Sequence, residues 1–361
     1  MNSEIRPLTG VRGIAALVVV LYHFGEPYHT LGIQTHFRIH QGYLAVDLFF
    51  VLSGFVLAYN YADYFAANFS LQRFWHFFIR RIARLYPAYF AITCLYLMKM
   101  AVNFAGDNPF DSYRFSDIPG NLFMLTGWGL GIKPVVGDSW SVSAELGAYL
   151  LFPFLVPFAV YGRSVGIAAT ALLAGAAWVV IAASGLGVKG PMDVVSNESL
   201  YPLLRCIAGF SLGLLAFSVW RNPSARRLLS GNVPTLVLLI LFGICLMIHA
   251  HDLVVLAFFP VFILVLGYES GIARALFANR VVMWLGEISY SLYLVHISCV
   301  GITVRAAKAA ETQFGTSAYG LLTVVGVSLS CGLAWVCFRW IEMPGKRLVL
   351  GLVQPRSARV I

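Results

Sequence analysis

A guanidinium and an imidazole stand eleven residues apart in one apolar run, RPLTGVRGIAALVVVLYHF, as Arg12 and His23. In a helix, eleven steps of about 100° make three turns plus roughly 20°. The two side chains therefore leave nearly the same face, about 16 Å apart along the axis. Imidazole titrates near neutral pH and can take the proton of an attacking hydroxyl. The competing reading of His23 is a histidine hydrogen-bonded at a membrane interface. Guanidinium stays charged, so in an apolar helix Arg12 needs a partner or a polar cavity. Contact with a phosphate-bearing ligand would serve, as would a structural pair with an acid such as Asp47.

Other polar groups interrupt apolar runs in the same way. Asp47 enters GYLAVDLFFVLSGF, with Ser53 and Gly54 deeper in it. Arg80, Arg81 and Arg84 cluster in RRIARLYP, a multi-pronged cation suited to phosphates. Plain anchoring of a span by basic residues competes with that reading. In DSWSVSAELGAYLLFPFL, Ser141 and Glu145 are i, i+4 neighbours on one helical face. Glu145 there can orient an imidazole, as the carboxylate of a triad does, or simply pack through a hydrogen bond. Asp138 and Ser139 compete for the N-cap of that helix. His296 ends LGEISYSLYLVH and divides between packing and a polar interior. Arg205 reads as lining an acceptor cavity, and Lys99 as snorkelling. His29, His36 and His40 read as solvated or acceptor-facing loop residues.

The elements that must position these groups are membrane spans. The chain is 59% hydrophobic and 11% charged, against about 25% charged in soluble domains. Its mean hydropathy is +0.79. Ten runs approach the roughly 20 residues that cross hydrocarbon: 9–25, 43–61, 77–103, 139–161, 164–185, 200–220, 233–249, 252–268, 281–302 and 318–341. The expected fold is all-α, a polytopic bundle of about ten helices forming one domain over 1–361. Residues 121–130 read as a re-entrant or interfacial piece. The first run ends in Tyr22, His23 and Phe24 with no small-residue cleavage site, so it reads as a retained span. The six cysteines lie in or beside apolar spans and read as buried hydrophobes. No metal-ligand spacing is visible and no metal is expected. The net charge of +9 flanks the apolar runs, which points to membrane lipids and away from nucleic acid.

Taken in order, Arg12 to His23, VDLFFVLSGF, RRIARLYP, WSVSAEL and SYSLYLVH resemble the acyltransferase-3 family of membrane O-acyltransferases, from Arg6 to about Arg347. WSVSAEL departs from members that carry a second acid or Gln after the glutamate. The resemblance implies a ten-helix enzyme that acylates hydroxyls of glycan, lipid-linked or other acceptors. Its implied donor and co-substrate is cytoplasmic acyl-CoA, with acetyl-CoA first. It implies His23 as general base, Glu145 and Arg12 as its catalytic companions, and Arg80, Arg81 and Arg84 at the donor nucleotide. Asp47, Ser53 and Ser141 would line the same pocket. Some members carry a fused extracellular esterase-like domain; here the chemistry is expected to reside in the membrane domain. The expected location is a bacterial inner membrane. From the residues alone, a transporter or channel for an acyl or glycan intermediate is the alternative.

With the N-terminus cytoplasmic, ten spans put fifteen Lys and Arg residues inside and six outside. Both termini are then cytoplasmic and the 104–138 loop is external. An impermeant thiol reagent applied from outside should label Ser112→Cys and spare Ser224→Cys. The reverse pattern would invert the orientation.

Overall fold

The computed structural model describes residues 3–30, 39–66, 69–105, 114–315 and 317–353, and these contain helices and connecting turns but no strand. The long helices are α1 (Arg6–Thr30), α2 (Ala45–Phe65) and α3 (Leu71–Ala105). After a short α4 (Ile118–Leu122) come α5 (Ser139–Ala159), α6 (Ser164–Ala183) and α7 (Tyr201–Trp220). Next are α8 (Pro223–Leu229), α9 (Asn232–Met247), α10 (Asp252–Leu266) and α11 (Gly271–Phe277). The chain closes with α12 (Arg280–Phe314), α13 (Ser317–Cys337), a π-helical turn at Phe338–Glu342 and α14 (Met343–Val353). An all-helical chain is what lipid demands, because a helix satisfies its own backbone polar groups.

Eight of these helical stretches are long and apolar enough to cross a membrane, and ten if each bent pair counts as one span. The bent pairs are α8 with α9, at 71°, and α10 with α11, at 108°. The ten-span expectation is met on that count. Sequence periodicity did not resolve α8 and α11, which are too short to show a repeat. Asn222 and Ser270 cap them through Ser224 N and Ala273 N. The charge-free α6 buries only Ala174, Trp178 and Ile181, as a lipid-facing helix should. Residues 106–113 of the 104–138 loop, with Asp107, Asp111 and Ser112, lie outside the described residues, as do His36 and Arg38.

Two close helix contacts set the frame. Parallel α1 and α12 touch at Gly13 and Gly286. A Cβ on Gly13 would fall 2.4 Å from Gly286 N, and one on Gly286 2.2 Å from Thr9 O. Helices α2 and α7 meet through Gly54 and Gly213, where added carbons would sit 2.0 Å from Phe210 O and Val51 O respectively. Small residues let backbones in lipid approach this closely. The first contact fixes the register in which His23 meets His296.

Gly13→Ala should lower the thermal midpoint of the purified protein, since overpacking costs about 1–3 kcal/mol. Gly332→Ala, where a Cβ meets nothing within 4 Å, should leave it unchanged or raise it. Equal midpoints for the two variants would show that the α1–α12 approach is not a tight constraint.

Candidate active site

Three side chains from distant parts of the chain converge. His23 comes from α1, His296 from α12, and Asp138 stands at the N-cap position of α5. Asp138 Oδ2 is 3.4 Å from His23 Nε2 and 3.3 Å from His296 Nε2. The two imidazoles also approach each other, with His296 Nε2 3.3 Å from His23 Nδ1. Each ring is fixed from behind. His23 Nδ1 donates to Val19 O at 2.9 Å, and His296 Nδ1 to Tyr293 O at 2.7 Å. Those bonds place the ring protons on Nδ1 and leave both Nε2 atoms with lone pairs. His296 is fully buried, whereas the His23 and Asp138 side chains are 25% and 20% exposed.

Asp138 does not use its carboxylate to cap α5. It turns that group to the imidazoles, still beside a helix N-terminus that favours negative charge. Burial opposes the ionised form, but His23 and His296 outweigh it and hold the carboxyl below the usual carboxylate range. Its backbone carbonyl is occupied too. Ser141 Oγ and Tyr293 OH donate to Asp138 O at 3.2 and 3.0 Å and lie 2.6 Å apart. The approach to Asp138 is pinned by Asn121, whose side chain holds Asp117 O, Lys133 O and Val135 N. Ser143 ties the same loop to α5 through Met124 O and Gly127 N. The segment at 121–130 is thus a bracket for the site, folded over the start of α5.

A cavity of about 350 Å³ runs through the bundle on the α1 N-terminal side of this cluster. At one end its wall includes Glu4, Arg81 and Arg84; Arg12, Ser53, Glu145 and Tyr149 follow, and Ser141 and Tyr293 stand at the other end. Arg12 is held by Nε and Nη2 on Gly286 O at 3.2 and 2.8 Å. Arg81 donates to Tyr61 OH at 3.2 Å, with its guanidinium over the Tyr61 ring. The cavity therefore joins an arginine-lined mouth to the hydroxyl pair bonded to Asp138.

Several expectations are corrected. Glu145 does not meet His23; it accepts from Ser53 Oγ and Tyr149 OH, both at 2.6 Å. The reason is helix direction. Antiparallel α5 begins level with His23, so Glu145, seven residues on, lies about 10 Å further toward Arg12. Asp47 is not in the wall of this cavity and pairs with Arg205 instead of Arg12. It is fully buried on Arg205, with oxygens 2.8 and 2.5 Å from Arg205 Nε and Nη2. Arg205, in turn, faces Asp47 and the Trp140 ring instead of an acceptor cavity. Arg80 shares α3 with Arg81 and Arg84 but is not part of the cavity wall. Lys99 is exposed beside the Tyr96 ring. Nothing is described of the His29 side chain, while His40 is exposed against His249. Sequence alone offers Asp138 as a cap, in competition with Ser139, and leaves His296 between packing and a polar interior. Their signals were the acid opening DSWSVSAEL and the histidine closing SYSLYLVH. The carboxylate–imidazole cluster also brings three metal-ligating atoms within 4.8 Å of one another, a grouping invisible in residues so far apart in sequence.

A family profile for the acyltransferase domain matches residues 6–339. The chain belongs to the acyltransferase-3 family. It is 25% identical to the acyltransferase MdmB of Streptomyces mycarofaciens, over 95% of this chain and 92% of that protein. It is 22% identical to the peptidoglycan O-acetyltransferase OatA of Listeria monocytogenes and 23% identical to the O-acetyltransferase OatA of Staphylococcus aureus. Those alignments cover 95% and 93% of this chain but only 56% of either OatA, so the chain spans about half their length. No solved structure matches. Membership in this family makes the chain an integral membrane acyltransferase.

The buried ion pair beneath the site has a testable energetic signature. Asp47→Asn alone leaves Arg205 charged and unpaired, which costs about 3–5 kcal/mol. The midpoint should fall sharply. Asp47→Leu combined with Arg205→Met should recover most of it, because apolar replacement of a buried pair is often neutral or favourable. A double variant no more stable than Asp47→Asn would assign the pair a net stabilising role.

Proposed function

We propose that this membrane acyltransferase moves an acetyl group from acetyl-CoA to a hydroxyl of a glycan or lipid-linked acceptor, with His23 as general base. The observation that carries the reading is the shared residue: Asp138 holds the imidazoles with its carboxylate and the cavity-end hydroxyls with its carbonyl. The donor's phosphates sit at Arg81 and Arg84, where guanidinium forks suit them. A cavity of about 350 Å³ admits a slender pantetheine arm and leaves the nucleotide at the mouth. The arm passes Arg12 and brings the thioester to Ser141 and Tyr293. The acceptor reaches His23 from its exposed side, which the positive-inside bias makes the external one. The bacterial inner membrane supplies both substrates on that arrangement.

In the transfer step the acceptor oxygen bonds to the thioester carbonyl carbon as its proton passes to His23 Nε2. The tetrahedral oxyanion collapses, the carbon–sulfur bond breaks, and the departing thiolate takes the proton from His23. Asp138 Oδ2 faces the same nitrogen that gains the proton. It therefore stabilises the imidazolium directly, the role that sequence reading gave to Glu145. Val19 O keeps the ring in the useful tautomer. An acetyl group passed to a hydroxyl fits the relatives named O-acetyltransferase.

The test is product mass analysis with acetyl-CoA and candidate glycans, using purified variants of matched folding. General-base catalysis contributes about 10²–10⁴-fold, so His23→Gln should lose at least 100-fold in turnover while still binding donor. Asp138→Asn should be more damaging than Glu145→Gln. Arg81→Ala with Arg84→Ala should raise the apparent donor constant at least tenfold, each charge-assisted contact being worth about 1.5–3 kcal/mol. Near-normal turnover in His23→Gln would remove His23 from the chemistry.

A further inference from the structure

His23 Nε2, His296 Nε2 and Asp138 Oδ2 are all lone-pair acceptors, and they face one another. The ring protons are committed elsewhere: His23 Nδ1–H to Val19 O, and His296 Nδ1–H to Tyr293 O. The His23 Nδ1–H reaches His296 Nε2 only as a longer branch, at 3.3 Å. Asp138 Oδ2 is buried and receives no hydrogen bond. Three such acceptors repel unless a cation stands among them. One added proton answers that need in the transferring enzyme. The geometry points to a second occupant: a single divalent cation of the zinc class, bound by His23, His296 and Asp138 and excluding proton transfer while it is there.

The ligand set and spacing both favour such an ion. Two imidazoles and a carboxylate suit zinc, and not the all-oxygen preference of magnesium or calcium. Zinc bonds of about 2.0–2.2 Å in a tetrahedron put ligand atoms roughly 3.3–3.6 Å apart. Asp138 Oδ2 lies 3.4 and 3.3 Å from the two nitrogens. Each imidazole also has the backbone-carbonyl partner on its far nitrogen that metal-ligating histidines characteristically have. The partial exposure of His23 and Asp138 leaves an entry path and a fourth position for water. Helices α1 and α12 cannot slide to spoil the set, because Gly13 and Gly286 lock their register. Ion binding stands on this geometry alone. Its effect on transfer rests on the reading of His23 as base, because the ion occupies the lone pair that would accept the proton.

The probe is Co²⁺, a spectroscopic stand-in for Zn²⁺, titrated into the purified, detergent-solubilised full-length protein. One equivalent should bind, giving visible bands of four-coordinate strength with no near-ultraviolet thiolate band, which would betray cysteine ligation. Zn²⁺ should displace it, and a hundredfold excess of Mg²⁺ should not. Asp138→Asn and His296→Ala should each weaken binding at least tenfold. Transfer from acetyl-CoA should fall at least 100-fold at saturating Zn²⁺ and return on chelation. No bound Co²⁺ in the unaltered protein, a thiolate band, or undiminished binding by a monodisperse Asp138→Asn protein would overturn the site. Stimulation by Zn²⁺ would overturn the exclusion and leave the binding intact. If no acyl transfer is found with any acceptor, the Co²⁺ spectrum still decides the site independently.

Discussion

Everything chemical in this molecule depends on where one carboxylate is held. Asp138 stands where a helix begins, and a residue in that position ordinarily spends its side chain on the helix's own N–H groups. Here the carboxylate is released from that duty and meets two imidazoles, while the carbonyl of the same residue anchors two hydroxyls. A single backbone position thereby couples the two imidazoles to the end of the cavity. Moving it by one residue would break both sets of contacts together. That explains the bracket of Asn121 and Ser143 bonds around an otherwise irregular segment.

The remaining buried charge follows from the same scarcity of partners in lipid. Arg205 and Asp47 neutralise one another in the core between α2 and α7, where the glycine contacts bring those helices close. Arg12 takes a different solution. It binds a backbone carbonyl, Gly286 O, which satisfies geometry without cancelling its charge. Its positive charge therefore remains available to the cavity. Pairing with Asp47 would have cancelled it. Glu145 likewise accepts from two hydroxyls within the cavity wall. The interior thus separates into a neutral structural pair and a set of polar groups left open to a ligand.

Much of this was legible in the sequence. Hydropathy located the ten runs, and the order of the motifs named the family and six residues of the cavity wall: Arg12, Ser53, Arg81, Arg84, Ser141 and Glu145. What composition and spacing could not supply was depth. Whether Glu145 or Asp138 reaches His23 depends on the relative direction of α5 and α1 and on the level at which α5 starts. Likewise, the partner of Asp47 depends on which helices abut. Sequence offers Arg12 as that partner, and the Gly54–Gly213 contact, which brings α7 against α2, supplies Arg205 instead. His296 was ambiguous for the same reason. A histidine on an apolar helix is interpretable only once the facing helix is known.

The parallel contact between α1 and α12 also has a consequence in time. His23 and His296 are 273 residues apart, and Arg12 finds its carbonyl 274 residues downstream. At synthesis rates of about 5–20 residues per second, the first helix waits roughly 14–55 s before its partner leaves the ribosome. Through that interval a guanidinium lies in the membrane without the group that later holds it. The nascent chain must shelter it with lipid headgroups, water or the insertion machinery. The imidazole–carboxylate cluster is therefore incomplete until nearly all of the chain has been made, and a truncated product that lacks α12 carries an arginine without its native carbonyl.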